Sequence, residues 1–330
     1  MSDPIDWAVG YLSGATGTFV GIVVADQVRD LRADSADFEG VDLDAPTGTR
    51  ALLNDWGTHR ATLERLAHAA TTGVWLPLSD LTPLAPLAPR QILQAGANYR
   101  KHVIDLAVSH ADIAAGRTEE QVRAETAEMM DKRKREGIPY FFIGLPSAVT
   151  GPDADVTLPA YSDRHDWELE LAAVIGTTAV RVSPDEALDF VAAYTIVNDL
   201  TTRDLVFRRD MPEIGTDWFR SKNAPGFLPI GPWLVPAEAV PDPQNVQLTL
   251  TLNGDVMQNE STADMLFTVA ELISAASQTV PLEPGDLILT GSPAGNGAHW
   301  GRLLRNGDLM VATIDGLGSQ HTRTVSEVTR

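Results

Sequence analysis

The feature that most restricts the fold is a series of short apolar runs, separated by Pro and Gly, that extends from about residue 140 to the C-terminus. These runs have the length and punctuation of β-strands, as in "VQLTLTLNGDVM" (246–257) and "DLMVATIDGLG" (308–318). Only two segments here, 184–194 and 265–278, carry a helical pattern. Many short strands with few helices bury their apolar faces by closing into a sandwich or roll. The sequence therefore predicts a β-rich α+β fold.

A Pro-rich connector, "LPLSDLTPLAPLAPRQ" (76–91), divides the chain. Because 330 residues exceed a usual single domain, we expect an N-terminal accessory domain at 1–88 and a second domain at 89–330. The accessory part opens with a strand-like run and continues into a predicted helix at 49–71. The second part begins with a strand, a turn and a helix at 92–107, followed by an exposed helix, rich in Ala, Glu, Arg and Met, at 110–136.

The run "HDWELELAAVIG" (165–176) alternates apolar and polar residues and is predicted to be a strand. Residues two apart in a strand share a face with Cα atoms roughly 6.5 to 7 Å apart, so Glu168 and Glu170 can reach one point. If that face is buried, the two carboxylates need a cation or a shared proton, because they repel each other and lose hydration. The spacing leaves open the alternative that this is an exposed, acidic sheet face.

A third carboxylate, Asp199, ends the next apolar run, "AAYTIVNDL" (192–200). Taken alone, an Asp at a strand end is equally typical of a residue that begins a turn. Together with Glu168 and Glu170 it forms a set of three carboxylates in a chain without cysteine. Such a set favours Mg²⁺ or Mn²⁺, bound through oxygen, over Zn²⁺.

Other candidate residues lie in three separate segments. His102 and Asp105 are spaced to share a helix face, so they are either a general base with its orienting carboxylate or a surface pair. Lys222 lies among aromatic, Pro and Gly residues, as either a desolvated cation facing a bound anion or an ordinary loop lysine. The Gly-rich loop with Ser292 could hold an anion, but Thr290 stands where a serine-hydrolase elbow needs Gly.

Composition excludes several classes of partner. The chain has 25 Lys and Arg against 45 Asp and Glu, a formal net charge of -20, which argues against binding nucleic acid or an anionic membrane surface. Without cysteine it has no disulfide and no thiolate nucleophile. The first ten residues lack a basic segment leading into an apolar run, and no window approaches the ~18 apolar residues of a membrane span. We expect a cytoplasmic protein with a small-molecule substrate, and neither a nucleic-acid nor a membrane partner.

Seven blocks between about residues 90 and 315 resemble, in order, the signature blocks of the fumarylacetoacetate hydrolase family. They are "GANYRKHVID", "PSAVTGPDADVTLP", "DWELELAAVIG", "YTIVNDLTTRD", "WFRSKNAPGFLPIGPWLV", "LNGDVMQ" and "LEPGDLILTGSPAG". The resemblance implies a mixed β-sandwich roll that forms a homodimer, with Mg²⁺ or Mn²⁺ held by Glu168, Glu170 and Asp199. The family that the chain resembles includes acylpyruvate hydrolases and 2-hydroxyhepta-2,4-diene-1,7-dioate isomerases, whose substrates are 2-oxo acids.

The resemblance also implies roles for further residues. His102 with Asp105 would activate water from a helical lid at about 103–137, and Lys222 is the family's active-site lysine. The implied substrate-binding positions are Ser292, Thr290, Arg203 and Val206. The implied reaction is hydrolysis of a C–C bond in a 2,4-dioxo acid, acylpyruvate or related β-diketone through a metal-stabilised enolate.

Three positions depart from the family pattern: Asp105 replaces Glu, Asn223 replaces Ser, and Val206 replaces a Gln of some hydrolases. These departures keep other functions open. One alternative is an isomerase, hydratase or decarboxylase acting on a related 2-oxo acid. Another is a metal-binding homologue without catalytic activity.

Overall fold

The computed structural model describes residues 6–69, 73–110 and 117–328. Its strands are β1 (Ala8–Gly14), β2 (Gly17–Val24), β3 (Gln27–Asp30), β4 (Trp75–Pro77), β5 (Thr82–Pro83), β6 (Ile92–Gly96), β7 (Tyr140–Gly144), β8 (Val149–Thr150), β9 (Val156–Leu158), β10 (His165–Asp166), β11 (Leu169–Ile175), β12 (Val191–Asn198), β13 (Thr201–Thr202), β14 (Leu228–Pro229), β15 (Val235–Pro236), β16 (Gln247–Leu252), β17 (Asp255–Ser261), β18 (Leu287–Leu289), β19 (Leu309–Ile314) and β20 (Gly318–Ser326). Its α-helices are α1 (Gly48–Leu53), α2 (Trp56–Ala67), α3 (Arg100–His110), α4 (Glu119–Glu136), α5 (Trp218–Lys222), α6 (Val269–Thr279) and α7 (Gly297–Trp300).

The central layer is a six-stranded sheet in the order β15-β12-β11-β18-β6-β7. Strand β11 is buried along its whole length, and its side chains alternate between two apolar cores. Leu169 and Leu171 belong to the core shared with the second large sheet, β17-β16-β19-β20-β9, whereas Ala172 and Val174 face the N-terminal part. The alternation seen in the sequence thus divides side chains between two packed layers, which confirms the predicted β-rich α+β fold.

The N-terminal residues form a five-stranded sheet in the order β4-β3-β2-β1-β5. Side chains of this sheet, such as Val20 and Ile22, share one apolar core with the central strands β11 and β12. Val9 and Leu234 exchange backbone hydrogen bonds of 2.9 and 2.8 Å, which ties β1 to the second part of the chain. The two parts of the chain thus share one apolar core. The predicted domain boundary at residue 88 remains a prediction.

Two helix predictions have different outcomes. The pattern at 265–278 corresponds to α6, which begins with a capping box formed by Thr268 and Glu271. The predicted helix at 184–194 is wrong, because a short 3₁₀ turn leads directly into β12 there. A continuous apolar run fits a strand buried on both faces as well as a buried helix, and the sheet contacts of β12 decide for the strand.

Helices α3 and α4 occupy most of the segment predicted as a lid, and its residues 111–116 lie outside the described ranges. Ion pairs dock α4 on the rest of the protein, with Asp131 bonded to Arg100 and Lys134 to Glu271. Arg133 donates to the carbonyl of Ala97 at 2.7 Å. The lid function of α3 and α4 remains a prediction. Within the described residues, none of the helices combines the length and apolarity needed to cross a membrane.

Candidate metal centre and active site

Two neighbouring strands bring the three predicted metal ligands together. Glu168 precedes β11, Glu170 is its second residue, and Asp199 follows β12. The antiparallel pairing of these strands places all three at one end of the sheet, where the Asp199 backbone N–H donates to the Glu168 carbonyl at 2.9 Å. One carboxylate oxygen from each residue lies within 4.8 Å of the others. The strand spacing and the antiparallel register together create the cluster.

The acidic cluster is inside the protein and is not an exposed acidic face. Glu170 is 2% exposed and Asp199 is 0% exposed. The Lys222 ammonium lies 2.7 Å from Glu168 Oε2 and 2.6 Å from Asp199 Oδ2, and it also donates to the Asp199 carbonyl at 2.8 Å. Asp199 Oδ1 is buried and has no hydrogen-bond partner among the described residues. A buried, unpartnered anionic oxygen is costly, so this atom fits a cation ligand.

The protonation properties of the cluster also fit a cation site. Burial raises the pKa of Asp199 to about 6 and, with the neighbouring Asp199 charge, raises the pKa of Glu170 well above its usual value. Burial also acts to raise the pKa of Glu168, but the charges of Arg203 and Lys222 outweigh it and lower that pKa. The three carboxylates Glu168, Glu170 and Asp199 have two cationic neighbours, Arg203 and Lys222. Oxygen-only donors with excess negative charge suit Mg²⁺ or Mn²⁺.

Arg203 links Glu168 to a fourth buried carboxylate, Asp166. Its Nε lies 2.6 Å from Asp166 Oδ2 and its Nη2 lies 2.6 Å from Glu168 Oε1. Asp166 also accepts hydrogen bonds from the backbone N–H groups of Gly297 at 2.5 Å and Ala298 at 3.0 Å. Arg203, predicted to bind substrate, therefore braces Glu168. The sequence analysis did not single out Asp166, although it shares the parity of the Glu pair in the strand pattern.

A cavity of about 280 Å³ adjoins the carboxylates. Six of the predicted site residues line it: His102, Glu168, Glu170, Arg203, Lys222 and Ser292. Its wall includes an aromatic pair, Phe142 and Trp218, whose rings stack at 4.6 Å between centroids and 17° between planes. This pair lies far apart in the sequence, and no local pattern marked it. The other four predicted site residues, Asp105, Asp199, Thr290 and Val206, are not among the described residues that line the cavity.

His102 lines the cavity and is 8% exposed. Burial lowers its pKa to about 4, so the imidazole is neutral near pH 7 and able to accept a proton. The hydrogen bond expected between His102 and Asp105 is absent from the part of the chain that the structure describes. Asp105 instead bonds to Arg123 of α4 at 2.9 Å, and its other oxygen lies 3.7 Å from His299 Nδ1. Arg123 on α4 and His299 on α7 therefore contact the shorter Asp carboxylate in place of His102.

The Gly-rich loop after β18 supports the carboxylates from the opposite side. The Gly291 backbone N–H donates to Glu170 Oε2 at 2.7 Å, so it is already engaged by a protein anion. The Thr290 hydroxyl donates to the Leu171 carbonyl at 2.9 Å, a contact that anchors the loop to β11. The Ser292 hydroxyl lines the cavity and accepts a hydrogen bond from Gln258 at 3.0 Å. Ser292 thus remains a candidate for substrate contact, whereas Thr290 has a structural contact.

Val206 is buried next to Arg203, outside the cavity lining. Its backbone carbonyl accepts a hydrogen bond from the Asp217 N–H at 2.7 Å, at the N-terminal cap of α5. Asn223, the other departure near this segment, accepts the Leu145 N–H at 2.7 Å and joins α5 to the end of β7. In this structure both residues support the cavity wall.

Comparison with known proteins identifies the family. Residues 91–325 match the fumarylacetoacetate (FAA) hydrolase C-terminal family. The chain belongs to the fumarylacetoacetate hydrolase family. Members of this family are enzymes that include hydrolases and isomerases.

Individual members of the family show the range of reactions. A 2,4-didehydro-3-deoxy-L-rhamnonate hydrolase of Sphingomonas sp. (strain SKA58) is 42% identical over 192 residues, which are 57% of this chain and 65% of that protein. The chain therefore matches slightly less than two thirds of the length of this relative. A mitochondrial oxaloacetate tautomerase of Bos taurus is 33% identical over 284 residues, covering 84% of this chain and 81% of that protein.

A solved structure extends the likeness to nearly the whole chain. It is a maleylpyruvate hydrolase from Sphingobium sp. SYK-6 in complex with a manganese(II) ion and pyruvate, with a TM-score of 0.72 and 27% identity. The superposition covers 96% of this chain and 100% of that one. The fold of this family therefore includes the N-terminal sheet as well as the segment with the carboxylates.

Proposed function

We propose that the protein is a divalent-metal-dependent hydrolase that cleaves a C–C bond in a 2,4-dioxo acid, acylpyruvate or related β-diketone. The observation that carries this proposal is the neutral, buried His102 in the same cavity as Glu168 and Glu170, two of the three carboxylates of the cluster. A general base and a cation site in one enclosed space are the parts that hydrolysis of a keto acid requires.

Glu168, Glu170 and Asp199 would hold Mg²⁺ or Mn²⁺, which would neutralise the substrate carboxylate and stabilise enolate charge. His102 accepts a proton from water, and the hydroxide adds to the distal acyl carbon. The bond between this carbon and the methylene carbon then breaks, its electron pair staying on the methylene carbon. Protonation of that carbon yields pyruvate and a carboxylic acid. Lys222 keeps the buried carboxylates ionised, because its ammonium bonds to Glu168 and Asp199.

A second candidate is isomerisation of a 2-oxo acid without activation of water. It is favoured by the position of Asp105, which bonds to Arg123 and leaves His102 without an orienting carboxylate. Transfer of a proton between carbon and oxygen requires a base but no activated water, so this reaction does not depend on a His102–Asp105 pair that orients water. The tautomerase relative is consistent with this candidate.

The test is an assay of acetylpyruvate, oxaloacetate and a diketo sugar acid, with and without Mg²⁺ or Mn²⁺, followed by NMR of the products. Metal-dependent formation of pyruvate and acetate supports the hydrolase. Interconversion of keto and enol forms alone supports the isomerase, and loss of CO₂ identifies a decarboxylase. Glu170→Gln should abolish the activity, whereas Glu128→Gln, an exposed glutamate on α4, serves as the matched control. Absence of turnover on all compounds would overturn the proposal in favour of an inactive homologue.

We also propose that the protein acts as a homodimer. Several large apolar side chains are exposed on or near the neighbouring elements β7 and α5. They are Ile143 on β7, Phe219 on α5, and Phe207 and Ile214 in the segment before α5. Contiguous exposed apolar surface is characteristic of protein interfaces. The segment 207–220 has three arginines and three acidic residues, so it adds no net negative charge to the repulsion between two copies of an acidic chain.

A further inference from the structure

The cavity beside the carboxylates has a charged part and an apolar part. Its charged members are Glu168, Glu170, Arg203 and Lys222. The described lining is otherwise mostly apolar and includes Ala95, Ala97, Val103, Leu106, Phe142 and Trp218. The Lys222 ammonium lies 5.7 Å from the centre of the Phe142 ring, so the aromatic wall begins directly beside the charged part. A ligand anchored at the carboxylates therefore extends along apolar and aromatic side chains.

Both cations in the described lining are already paired with protein carboxylates. Arg203 binds Asp166 and Glu168, and Lys222 binds Glu168 and Asp199. A second carboxylate on the substrate would lose its hydration and would find no unpaired cation among the described lining residues. Burial of an uncompensated charge is strongly unfavourable, so the distal part of the substrate carries no charge.

Apart from His102, the Tyr140 hydroxyl and the unpartnered Trp218 indole N–H, few groups in the described cavity lining could bind substrate hydroxyls. The Ser292 hydroxyl accepts from Gln258, and the carbonyls of Gly96 and Ala97 accept from Arg133. A polyhydroxylated chain would therefore exchange hydrogen bonds with water for contacts with hydrocarbon, which costs free energy for each hydroxyl left unpaired. The distal part of the substrate is apolar for this reason as well.

We propose that the substrate is a monocarboxylic acylpyruvate whose acyl group is apolar, with an aromatic acyl group such as benzoyl fitting best. This inference rests on the proposed hydrolase function and specifies its substrate class. It distinguishes this chain from two of its relatives, because maleylpyruvate is dicarboxylic and the acyl part of 2,4-didehydro-3-deoxy-L-rhamnonate carries a hydroxyl group. Aromatic side chains add specific ring contacts to the burial of apolar area, which favours an aromatic group over an alkyl group of similar size.

The first test compares kcat/KM for acetylpyruvate, benzoylpyruvate, maleylpyruvate and a polyhydroxylated 2,4-dioxo acid at one Mn²⁺ concentration. We expect benzoylpyruvate to exceed maleylpyruvate by on the order of 100-fold, the effect of burying an unpaired charge. A preference for the dicarboxylic or the polyhydroxylated compound would overturn this inference while the hydrolase function stands. If none of the four compounds, acetylpyruvate included, is hydrolysed, both proposals fail.

The second test changes the apolar wall. Leu106→Arg adds a cation to the cavity lining and should raise the ratio of kcat/KM for maleylpyruvate to that for benzoylpyruvate by about tenfold or more. Leu188→Arg, at an exposed leucine outside the cavity, is the matched control and should leave this ratio unchanged. Phe142→Leu is a conservative second variant and should lower the ratio for benzoylpyruvate to that for acetylpyruvate. Unchanged ratios in both folded cavity variants would contradict the inference.

Discussion

Lys222 contacts Asp199 twice, with its ammonium nitrogen 2.6 Å from the carboxylate Oδ2 and 2.8 Å from the backbone carbonyl. The same nitrogen lies 2.7 Å from Glu168 Oε2, so one buried cation pairs with two carboxylates of the cluster, Glu168 and Asp199. Asp199 Oδ1 nevertheless has no partner among the described residues. Lys222 therefore stabilises the cluster but leaves this oxygen without a partner. We expect a bound divalent cation to balance the remaining negative charge.

Replacement of Lys222 by Met should lower the free energy of unfolding by about 3 kcal/mol at neutral pH without metal, because buried carboxylates lose their cation. Mn²⁺ should restore part of this loss by binding the more negative cluster. Urea unfolding with and without Mn²⁺ measures both effects. Lys132→Met, at an exposed lysine of α4, is the control. Equal stability of Lys222→Met and the parent without metal would contradict this view of the site.

Metal affinity should fall as the pH decreases through about 6, because the pKa of Asp199 lies near that value and the pKa of Glu170 is also raised. Calorimetry of Mn²⁺ binding in buffers with different ionisation enthalpies should detect proton release on binding. An affinity for Mn²⁺ that is unchanged between mildly acidic and neutral pH would contradict this assignment.

The same pKa shift predicts how stability depends on pH in the absence of metal. The pKa of Asp199 is higher in the folded than in the unfolded protein, so its contribution to stability is fully present below the unfolded value of 3.8. This contribution is lost as the pH rises through about 6. Asp199→Asn should therefore show less loss of stability than the parent over that range in urea unfolding. Parallel pH profiles for the two proteins would argue against the shift.

His102→Gln should reduce kcat for hydrolysis by about 10²- to 10⁴-fold, because the variant retains hydrogen bonding but cannot accept the proton of water. Mn²⁺ affinity should remain close to that of the parent. His68→Gln, at an exposed histidine, is the control. Retained hydrolysis in His102→Gln would remove this residue from the proposed reaction.

Asp105→Asn tests whether the predicted pair with His102 forms during turnover. Because Asp105 bonds to Arg123 in the structure, we expect a much smaller loss of kcat than in His102→Gln. Steady-state kinetics over a range of pH would measure both variants. Equal losses, with the same change in the pH profile, would show that Asp105 turns toward His102 when substrate binds.

Asp166→Asn should destabilise the protein by about 3 kcal/mol, because it leaves Arg203 with one carboxylate and disturbs the bonds to the start of α7. Weaker Mn²⁺ binding should accompany this change if Arg203 positions Glu168. Asp153→Asn, at a more exposed aspartate paired with His321, is the control. An unchanged urea midpoint and metal affinity would show that Asp166 does not support the site.

Phe219→Asp should convert the proposed dimer to a monomer in sedimentation velocity, because this side chain is 70% exposed on the apolar surface of α5. Val180→Asp introduces the same charge at an exposed apolar position elsewhere in the chain and should leave the dimer intact. A parent protein that sediments as a monomer would exclude the proposed assembly.

Local sequence patterns were sufficient for the strand at 169–175 and for the pairing of the acidic ligands Glu168 and Glu170. Alternation along 165–176 indicates which side chains share a face, and a spacing of two puts Glu168 and Glu170 together whatever else the chain does. The capping box and periodicity of α6 are equally local, and that helix was predicted correctly. The end of the next apolar run supplied Asp199 as a third carboxylate, and the family resemblance implied that it is a metal ligand. The antiparallel register of β11 and β12 brings it to the same end of the sheet.

Contacts between distant segments could not be inferred in this way. The bond of Asp105 to Arg123, the brace from Asp166 through Arg203 and the stack of Phe142 on Trp218 depend on how separate elements pack. The sequence predicted both a helix at 184–194 and a strand at 192–200, and packing decided for the strand where the two overlap. An apolar run without alternation suits helix and strand alike until its neighbours are known. Periodicity encodes the face on which a side chain lies, whereas its partners, its burial and its pKa are set by residues that only the folded chain brings near.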